Sequence, residues 1–133
     1  MLYRWQEVRG PEPLPAGDVR RALGVGRPSL ALALAGLRLG GRVRRENGGF
    51  VLEEAGQQHA AGLIRGHRLW EAYLAHVLGL PETELHEPAM RLEHYLGPDL
   101  QRELADRLEH PEADPHGRKI PAPAAADTEK DGP

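Results

Sequence analysis

The chain has 133 residues and no cysteine, which suits one domain or two small layers and excludes a large multidomain enzyme, a disulfide framework and a thiolate metal site. Its formal charge is −3, from 17 Lys and Arg against 20 Asp and Glu, but the charges are unevenly placed. Residues 1–50 carry 9 basic and 4 acidic side chains, whereas residues 51–133 carry 8 and 16. This distribution predicts that the basic N-terminal half binds a polyanion and that the acidic C-terminal half binds cations.

Apolar composition and the lack of targeting signals narrow the class of protein further. No apolar run approaches the ~20 residues of a membrane helix, and no signal-peptide pattern opens the chain. The lack of cysteine fits a reducing cytoplasm, which is where we expect the protein. Hydrophobic residues make up 40% of the chain but aromatic residues only 5%, so leucine and alanine must fill the core, and we expect a mainly α fold.

Three short helices are predicted near the start of the chain. They span residues 2–8, 18–23 and 28–39. Leu30, Leu34 and Leu37 lie at i, i+4 and i+7 of the third helix and predict one buried stripe. The second and third helices, joined by a tight glycine turn, have the form of a helix-turn-helix.

A β-hairpin is predicted directly after the third helix, because Asn47-Gly48 separates two alternating segments. A hairpin in this position is a wing, and its first strand carries Arg42, Arg44 and Arg45. These arginines would face whatever the third helix faces. The alternative is that they are the charges that protect an exposed edge strand from aggregation.

Further helices are predicted in the second half, over residues 53–78, over a segment that ends near residue 96 and over residues 99–108. The buried face of the long helix is predicted from apolar residues near helical spacing. These are Ile64, Trp70, Leu74 and Leu78. The composition after Pro121 predicts a disordered tail.

Residues 59–94 hold five of the seven histidines, mixed with carboxylates. His67 and Glu71 are four residues apart, so one face of the long helix carries both side chains. His86 lies close to the start of the next predicted helix. Imidazole with carboxylate suits Mn²⁺, Fe²⁺, Co²⁺, Ni²⁺ or Zn²⁺ rather than Ca²⁺. The alternative from spacing alone is an ordinary solvated helix pair.

A second candidate group lies on the helix that follows. Glu93 and His94 follow Met90 by three and four residues, so all three lie on one predicted face. A thioether is a softer and weaker ligand than a carboxylate. The alternative for Met90 is a core side chain at helical spacing.

Four motifs occur together in a fixed order. They are Leu-Glu-Glu-Ala-Gly at 52–56 after the wing, His-Arg-Leu-Trp-Glu-Ala-Tyr-Leu at 67–74, the run 85–96 with its Glu-His pair, and Pro-His-Gly-Arg-Lys-Ile-Pro at 115–121. Through these motifs the chain resembles the diphtheria-toxin-repressor and manganese-transport-regulator family over about residues 2–121.

The resemblance implies a fold and a function. We expect a winged helix-turn-helix over residues 1–53 with a shortened first helix, an all-helical metal-binding and dimerisation domain over 54–121, and a tail over 122–133. The family's function would be repression of transcription by a homodimer loaded with Mn²⁺ or Fe²⁺, with Zn²⁺, Co²⁺ or Ni²⁺ as further options, bound to double-stranded operator DNA. No Walker loop, nucleophile elbow or His-Glu-x-x-His motif suggests an enzyme.

The resemblance also implies roles for individual residues. His67, Glu71 and His86 look like one metal site. Met90, Glu93 and His94 look like part of a second site that is more directly coupled to DNA binding. The other histidines match no ligand role in the family, and the Pro-His-Gly run at His116 is expected to be a turn. These other histidines are His59, His76 and His110.

The sequence departs from the family pattern in two respects: its metal ligands and the polar residues of its third helix. The ligand on the family's first helix aligns before Met1, and Met90 stands where many relatives have cysteine or glutamate. The third helix offers only Ser29 and Arg38 as polar groups, whereas base reading needs several. We therefore expect the basic side chains of residues 1–50 to contact the phosphate groups of DNA. The predicted DNA-contacting residues are Arg20, Arg21, Arg27, Ser29, Arg38, Arg42, Arg44 and Arg45.

These departures keep two other hypotheses open. One is a cytosolic metal-sensing domain related to a metal ABC-transporter permease, with weak or no specific DNA binding. The other is a winged-helix dimer that has lost metal binding.

Overall fold

The computed structural model describes residues 1–123, apart from the side chain of Glu93. Its elements in chain order are α1 (Leu2–Arg9), β1 (Leu14–Pro15), α2 (Ala16–Leu23), α3 (Arg27–Leu39), β2 (Val43–Glu46), β3 (Gly49–Leu52), α4 (Glu54–His76), α5 (His86–Leu92) and α6 (Pro98–Arg107), with 3₁₀ turns at Glu82–Glu84 and Glu93–Tyr95. The expected mainly α fold, a winged helix-turn-helix followed by helices, is confirmed. The tail predicted for 122–133 lies outside the described residues from position 124 onward.

Contacts divide the chain into two compact units, Met1–Ala60 and Ala61–Pro133, with the division inside α4. The domain boundary at residue 53 stays a prediction. Within residues 1–123, no single helix combines the length and the apolar composition needed to cross a membrane. The pair α2 and α3, bent by 115°, meets both criteria only when taken together.

The N-terminal unit contains the predicted hairpin. The sheet order is β1-β3-β2 with antiparallel pairing, and β2 and β3 pair up to Glu46 opposite Gly49. Asn47 and Gly48 close the hairpin with φ values of 45° and 80°. This left-handed conformation is what a two-residue hairpin turn requires, and Asn-Gly adopts it at low cost.

The strand β1 was not predicted from the sequence, because Pro13 and Pro15 favour a break in regular structure. Leu14 nevertheless pairs with Phe50 at the edge of the sheet, a place where proline is tolerated. Gly49 permits the close approach of the strands, since a Cβ there would lie 2.9 Å from the Leu14 carbonyl oxygen.

The core of the N-terminal unit joins the helices to the sheet. Leu30 and Leu34 of α3 are buried and Leu37 packs beside them, so the predicted stripe is confirmed. The other buried apolar residues of this core are Leu14, Val19, Val43 and Phe50. This packing fixes α3 and the wing and leaves the opposite face of α3 exposed.

The buried face of α4 in the C-terminal unit differs from the prediction. Of the four predicted residues only Leu74 is buried; Ile64 and Trp70 are half-buried and Leu78 is exposed. Leu69 and Ala72 are fully buried instead, next to the polar His67 and Glu71. Because polar residues occupy part of the buried face, a period counted on apolar residues alone misplaces it. Leu78 also lies beyond the end of the helix at His76.

The helix predicted to reach residue 96 is shorter than expected. α5 ends at Leu92, and Glu93–Tyr95 form a 3₁₀ turn. Pro98 disfavours helical backbone at Gly97, so the chain tightens before it, as helix ends commonly do. Met90 and His94 therefore belong to different elements rather than to one continuous helix face.

Candidate metal centre and nucleic-acid surface

The centre of the C-terminal unit holds a buried imidazole–carboxylate pair. His67 and Glu71 lie one turn apart on α4, and His67 Nε2 is 3.0 Å from Glu71 Oε1. Both side chains are buried, and Leu69, on the other side of the same helix, packs against Ala105 of α6. The i,i+4 spacing thus gives a preformed pair of donor atoms inside the protein.

A third donor comes from the start of α5. His86 Nδ1 lies 3.3 Å from the same oxygen of Glu71, and the rings of His67 and His86 meet edge to face with centroids 4.9 Å apart. Donor atoms of His67, Glu71 and His86 all lie within 4.8 Å of one another. The His86 side chain is 52% exposed, so the group opens to solvent on this side.

The two oxygens of Glu71 have different surroundings. Oε1 faces His67 and His86, whereas Oε2 is buried without a hydrogen-bond partner. Burial would raise the pKa of this carboxyl, but hydrogen bonding and charge from His67, then His86 and His116, lower it to about 2. Glu71 is therefore an anionic donor above that pH, with one oxygen still unsatisfied.

His116 also lies near this group, although sequence reasoning assigned it no ligand role. Its Nε2 lies 3.9 Å from Glu71 Oε1, and its side chain is 26% exposed. The sequence motif predicted a turn at this position, and there is a turn: Gly117 has φ of 76° and its N–H donates to the Asp114 carbonyl at 2.9 Å. The motif could not show that the turn packs beside Glu71.

The residues present fit a divalent transition metal. Each ligand of such an ion lies about 2.0–2.2 Å from it, so two ligands of one ion can be at most about 4.4 Å apart. His67 Nε2 and His86 Nδ1 lie 3.0 and 3.3 Å from Glu71 Oε1, within that limit. A buried carboxylate oxygen without a partner is costly unless a ligand satisfies it. Imidazole with carboxylate also suits this class of metal.

The second predicted group is more exposed. Met90 is 51% exposed, so it is not a core residue of this chain, and His94 is also exposed. The side chain of Glu93 lies outside what the structure describes. Within the part of the chain that the structure describes, the His/Asp/Glu group with metal-like spacing is the first one, not this one. A second site at Met90, Glu93 and His94 stays a prediction.

Three other histidines were expected at surface or packing positions. His59 and His110 are exposed, and His110 lies 3.3 Å from Asp106 on α6. His76 is exposed at the end of α4, with Nδ1 2.9 Å from the carbonyl oxygen of Ala72.

All eight predicted DNA-contacting residues are exposed. Four of the arginines line one open groove of about 490 Å³ between α2, α3 and the wing. They are Arg20, Arg27, Arg38 and Arg45. Ala31 and Ala35 line the same groove, so arginine and apolar side chains line it together. Such a surface can hold phosphate but offers few groups for base reading.

Two other predicted arginines are partly neutralised where they lie. Arg21 forms an ion pair with Asp18 of α2. Arg44 pairs with Glu46 and, at 3.3 Å, with Glu53. The groove arginines and the exposed Arg42 are therefore the predicted contacts whose charge is most available to a polyanion.

The outer face of α3 is apolar. The exposed alanines were expected, but Leu32 and Leu39 are also 78% and 91% exposed. The predicted buried stripe of α3 comprised only Leu30, Leu34 and Leu37, and no role was predicted for these two leucines.

Residues 53–122 match the family described as iron dependent repressor, metal binding and dimerisation domain. The match covers more than half of the chain. The chain belongs to the iron-dependent repressor family. The family expected from the order of the motifs is thereby confirmed, and its matched region contains the whole His67–Glu71–His86 group.

Individual relatives point to two kinds of protein. Iron-dependent repressor IdeR of Mycobacterium leprae is 34% identical over 116 residues, which cover 86% of this chain and 50% of IdeR. A protein of Chlamydia trachomatis named probable metal transport system membrane protein is 43% identical over 70 residues, which cover 53% of this chain and 16% of that protein. The chain thus spans half or less of these relatives.

A solved structure agrees over most of the described fold. The manganese-activated repressor ScaR, in its apo form, has a TM-score of 0.80 and 28% identity, covering 92% of this chain and 60% of ScaR. The likeness extends over both the winged helix and the helices that follow it.

Proposed function

We propose that this protein is a divalent-transition-metal-responsive transcriptional repressor that binds operator DNA as a metal-loaded homodimer. The observation that carries the proposal is the His67–Glu71–His86 group, in which His67 and Glu71 are buried and one Glu71 oxygen is unsatisfied. Mn²⁺ or Fe²⁺ are the proposed metals, since the relatives are named iron-dependent or manganese-activated. Zn²⁺, Co²⁺ and Ni²⁺ suit the same donors.

His67, Glu71 and His86 would hold the metal. Bound there, it would supply a positive charge that satisfies the buried carboxylate and ties the start of α5 to α4. The metal would stabilise the folded C-terminal unit, because ligands that bind only the native state add their binding free energy to its stability.

The proposed partners are a second copy of the chain and double-stranded DNA, and the proposed location is the cytoplasm. The matched family is described by metal binding and dimerisation, and Met90, Leu92 and Tyr95 offer exposed apolar surface that a second copy could cover. The arginine-lined groove of the N-terminal unit would hold the DNA backbone. We place the protein in the cytoplasm, where its operator would be, and assign it no enzymatic activity.

A metal-titrated gel shift with the DNA upstream of its own gene tests the proposal. We expect Mn²⁺, or Fe²⁺ without oxygen, to promote a shift by the wild-type protein. His67→Ala should need about 10- to 100-fold more metal for the same shift, by analogy with losses measured around metal sites. His59→Ala is the matched control, because it removes an exposed histidine from the same helix and should leave the titration unchanged.

The outcomes separate the parts of the proposal. A shift that is equally strong with and without metal would refute metal control. No shift at any metal concentration would refute the repressor function on this operator. Equal titrations of the two variants would remove His67 from the metal site.

A second candidate is a metal-sensing domain related to a metal-transporter permease. It is favoured by the apolar outer face of α3, with Leu32 and Leu39 exposed, and by the relative that is named as a membrane protein of metal transport. Calorimetry would then show metal binding while the gel shift stays negative. An in-frame permease sequence upstream of Met1 in the genome would also favour this candidate.

A further inference from the structure

The helix α3 is apolar on two opposite faces. One face is buried in the core of the N-terminal unit. On the other face, apolar residues recur at i, i+4, i+7 and i+11, so they lie side by side along the helix. We call them the outer stripe, which consists of Pro28, Leu32, Ala35 and Leu39. All four are exposed. A helix that is apolar on both faces is normally covered on both, so the outer stripe indicates an apolar partner.

The chain around the outer stripe is strongly cationic. Residues 19–45 contain seven arginines and no aspartate or glutamate. Arg38 of α3 and Arg45 of the wing line both open grooves beside this helix. The acidic Glu53 lines one of the grooves, but it is already paired with Arg44. An apolar stripe bordered by arginines has the composition of surfaces that bind anionic lipid bilayers.

Leucine and arginine together favour a lipid bilayer over DNA as the partner of the outer stripe. Guanidinium groups bind the phosphate of either partner. The major groove of DNA presents hydrogen-bonding base edges, with the thymine methyl as its apolar group, and leucine side chains would desolvate those edges. At a bilayer, leucines enter the boundary of the acyl chains while arginines stay at the headgroups. The leucines therefore distinguish the two partners, whereas the arginines do not.

The dimensions of α3 allow it to lie on a bilayer but not to cross one. It has 13 residues, which is about 20 Å of helix, whereas the hydrocarbon core is about 30 Å thick. The preceding helix α2 is shorter and is bent by 115° from α3. Because the protein core holds the other face of α3, the helix would lie in the plane of the headgroups with its outer stripe towards the acyl chains.

We propose that the outer stripe of α3 and the arginines beside it bind the surface of an anionic phospholipid bilayer. The two leucines enter the boundary of the acyl chains, and the arginines bind lipid phosphate. The arginines are the same ones that would contact DNA, so a bilayer and a DNA duplex compete for this face. The inference goes beyond the proposed function and does not depend on metal binding.

Vesicle flotation with the full chain tests the inference. The wild type should float with vesicles of phosphatidylglycerol and phosphatidylcholine in equal parts but not with pure phosphatidylcholine, because the arginines need anionic headgroups. Leu32→Gln combined with Leu39→Gln should weaken binding to the anionic vesicles by at least about 10-fold, since glutamine favours helix but lacks the apolar surface of leucine. The matched control combines Val8→Gln and Leu100→Gln. It removes two exposed apolar side chains outside the stripe and should leave binding unchanged.

A fluorescent label tests whether the outer stripe itself meets the lipid. The chain has no cysteine, so Ala35→Cys provides one labelling position between the two leucines. The emission of a polarity-sensitive dye there should shift to shorter wavelength on anionic vesicles. The same dye at the exposed Ala113→Cys of the C-terminal unit should show no shift. An unchanged spectrum at position 35 would overturn the inference.

The remaining outcomes separate the bilayer from other partners. Arg38→Gln should weaken vesicle binding about 5-fold and should weaken DNA binding as well, whereas the double leucine variant should weaken vesicle binding alone. If the wild type does not float with anionic vesicles, or the double leucine variant floats equally well, the inference is overturned and the metal-titrated gel shift is unaffected. If the double leucine variant loses DNA binding instead, the stripe belongs to the DNA surface. If light scattering shows that it changes the oligomeric state, the stripe binds a second copy of the chain.

Discussion

The two units of the molecule display their functional groups in opposite ways. The N-terminal unit exposes its arginines around an open groove, whereas the C-terminal unit buries His67 and Glu71. An exposed arginine costs the fold almost nothing and can serve many purposes. A buried carboxylate oxygen without a partner costs about 1–3 kcal/mol or more. The cluster of donor atoms around the buried Glu71 therefore indicates metal binding more strongly than surface charge indicates DNA binding.

The largest expected effect is a loss of stability that is confined to the N-terminal unit. A Cβ on Gly56 would lie 1.9 Å from the Arg42 carbonyl oxygen, whereas one on Gly62 of the same helix meets nothing within 4 Å. We expect Gly56→Ala to lower the free energy of unfolding by about 3 kcal/mol or more. Gly62→Ala should raise it by about 0.5–1 kcal/mol, since alanine favours helix.

Urea denaturation of the two glycine variants measures these changes in stability. Co²⁺ calorimetry tests whether the C-terminal unit of Gly56→Ala still binds metal. DNA binding should be lost in Gly56→Ala. The metal group should still bind at temperatures where the C-terminal unit is folded, because none of its residues lies in the N-terminal unit. Equal stabilities of the two variants would show that α4 moves away from Arg42 without cost.

The next largest effect concerns the C-terminal unit. Glu71→Gln keeps the size of the side chain but removes the anionic donor, and we expect metal affinity to fall by about 100-fold. Metal should then no longer raise the unfolding temperature at concentrations that stabilise the wild type. Glu87→Gln is the control, because Glu87 is an exposed acid that pairs with Arg91. If Glu71→Gln binds metal normally, the carboxylate serves the fold and not the metal.

Local signals in the sequence predicted more than distant ones did. The Asn47-Gly48 turn and the His67–Glu71 spacing are set by residues a few positions apart, and both were predicted correctly in geometry. β1 was missed because Pro13 and Pro15 hide it locally and its partner Phe50 is distant along the chain. The position of His116 beside Glu71 was missed for the same reason, because it depends on how residues 111–121 pack against α4.

The family resemblance filled part of this gap. It associated His86 with the pair on α4, and the structure brings its ring to them. It did not predict the end of α5 at Leu92, since the motif order is silent on backbone geometry. Nor did it predict which arginines are neutralised by neighbouring carboxylates, because ion pairs depend on side-chain placement.

A smaller effect on DNA binding is expected at two neighbouring arginines of the wing in the N-terminal unit. Arg45 lines the groove, whereas Arg44 is paired with Glu46 and Glu53. Arg45→Ala should weaken DNA binding and reduce the slope of log affinity against log salt by about 0.9. Arg44→Ala should change the slope less, because part of its charge is already compensated. Binding at a series of salt concentrations checks the order, with the exposed Arg102→Ala of α6 as control. The reverse order would mean that the ion pairs of Arg44 break on DNA.

The smallest effect is expected at Met90, where the second predicted site meets an exposed surface. Met90 is half exposed, so Met90→Leu leaves no cavity and should change the free energy of unfolding by less than about 1.5 kcal/mol. A thioether is a neutral, weak ligand beside imidazole and carboxylate. If the second site exists, calorimetry should show a second Mn²⁺ bound per chain, lost in His94→Ala and only weakened in Met90→Leu. A wild type that binds one metal per chain would limit metal control to the buried group around Glu71.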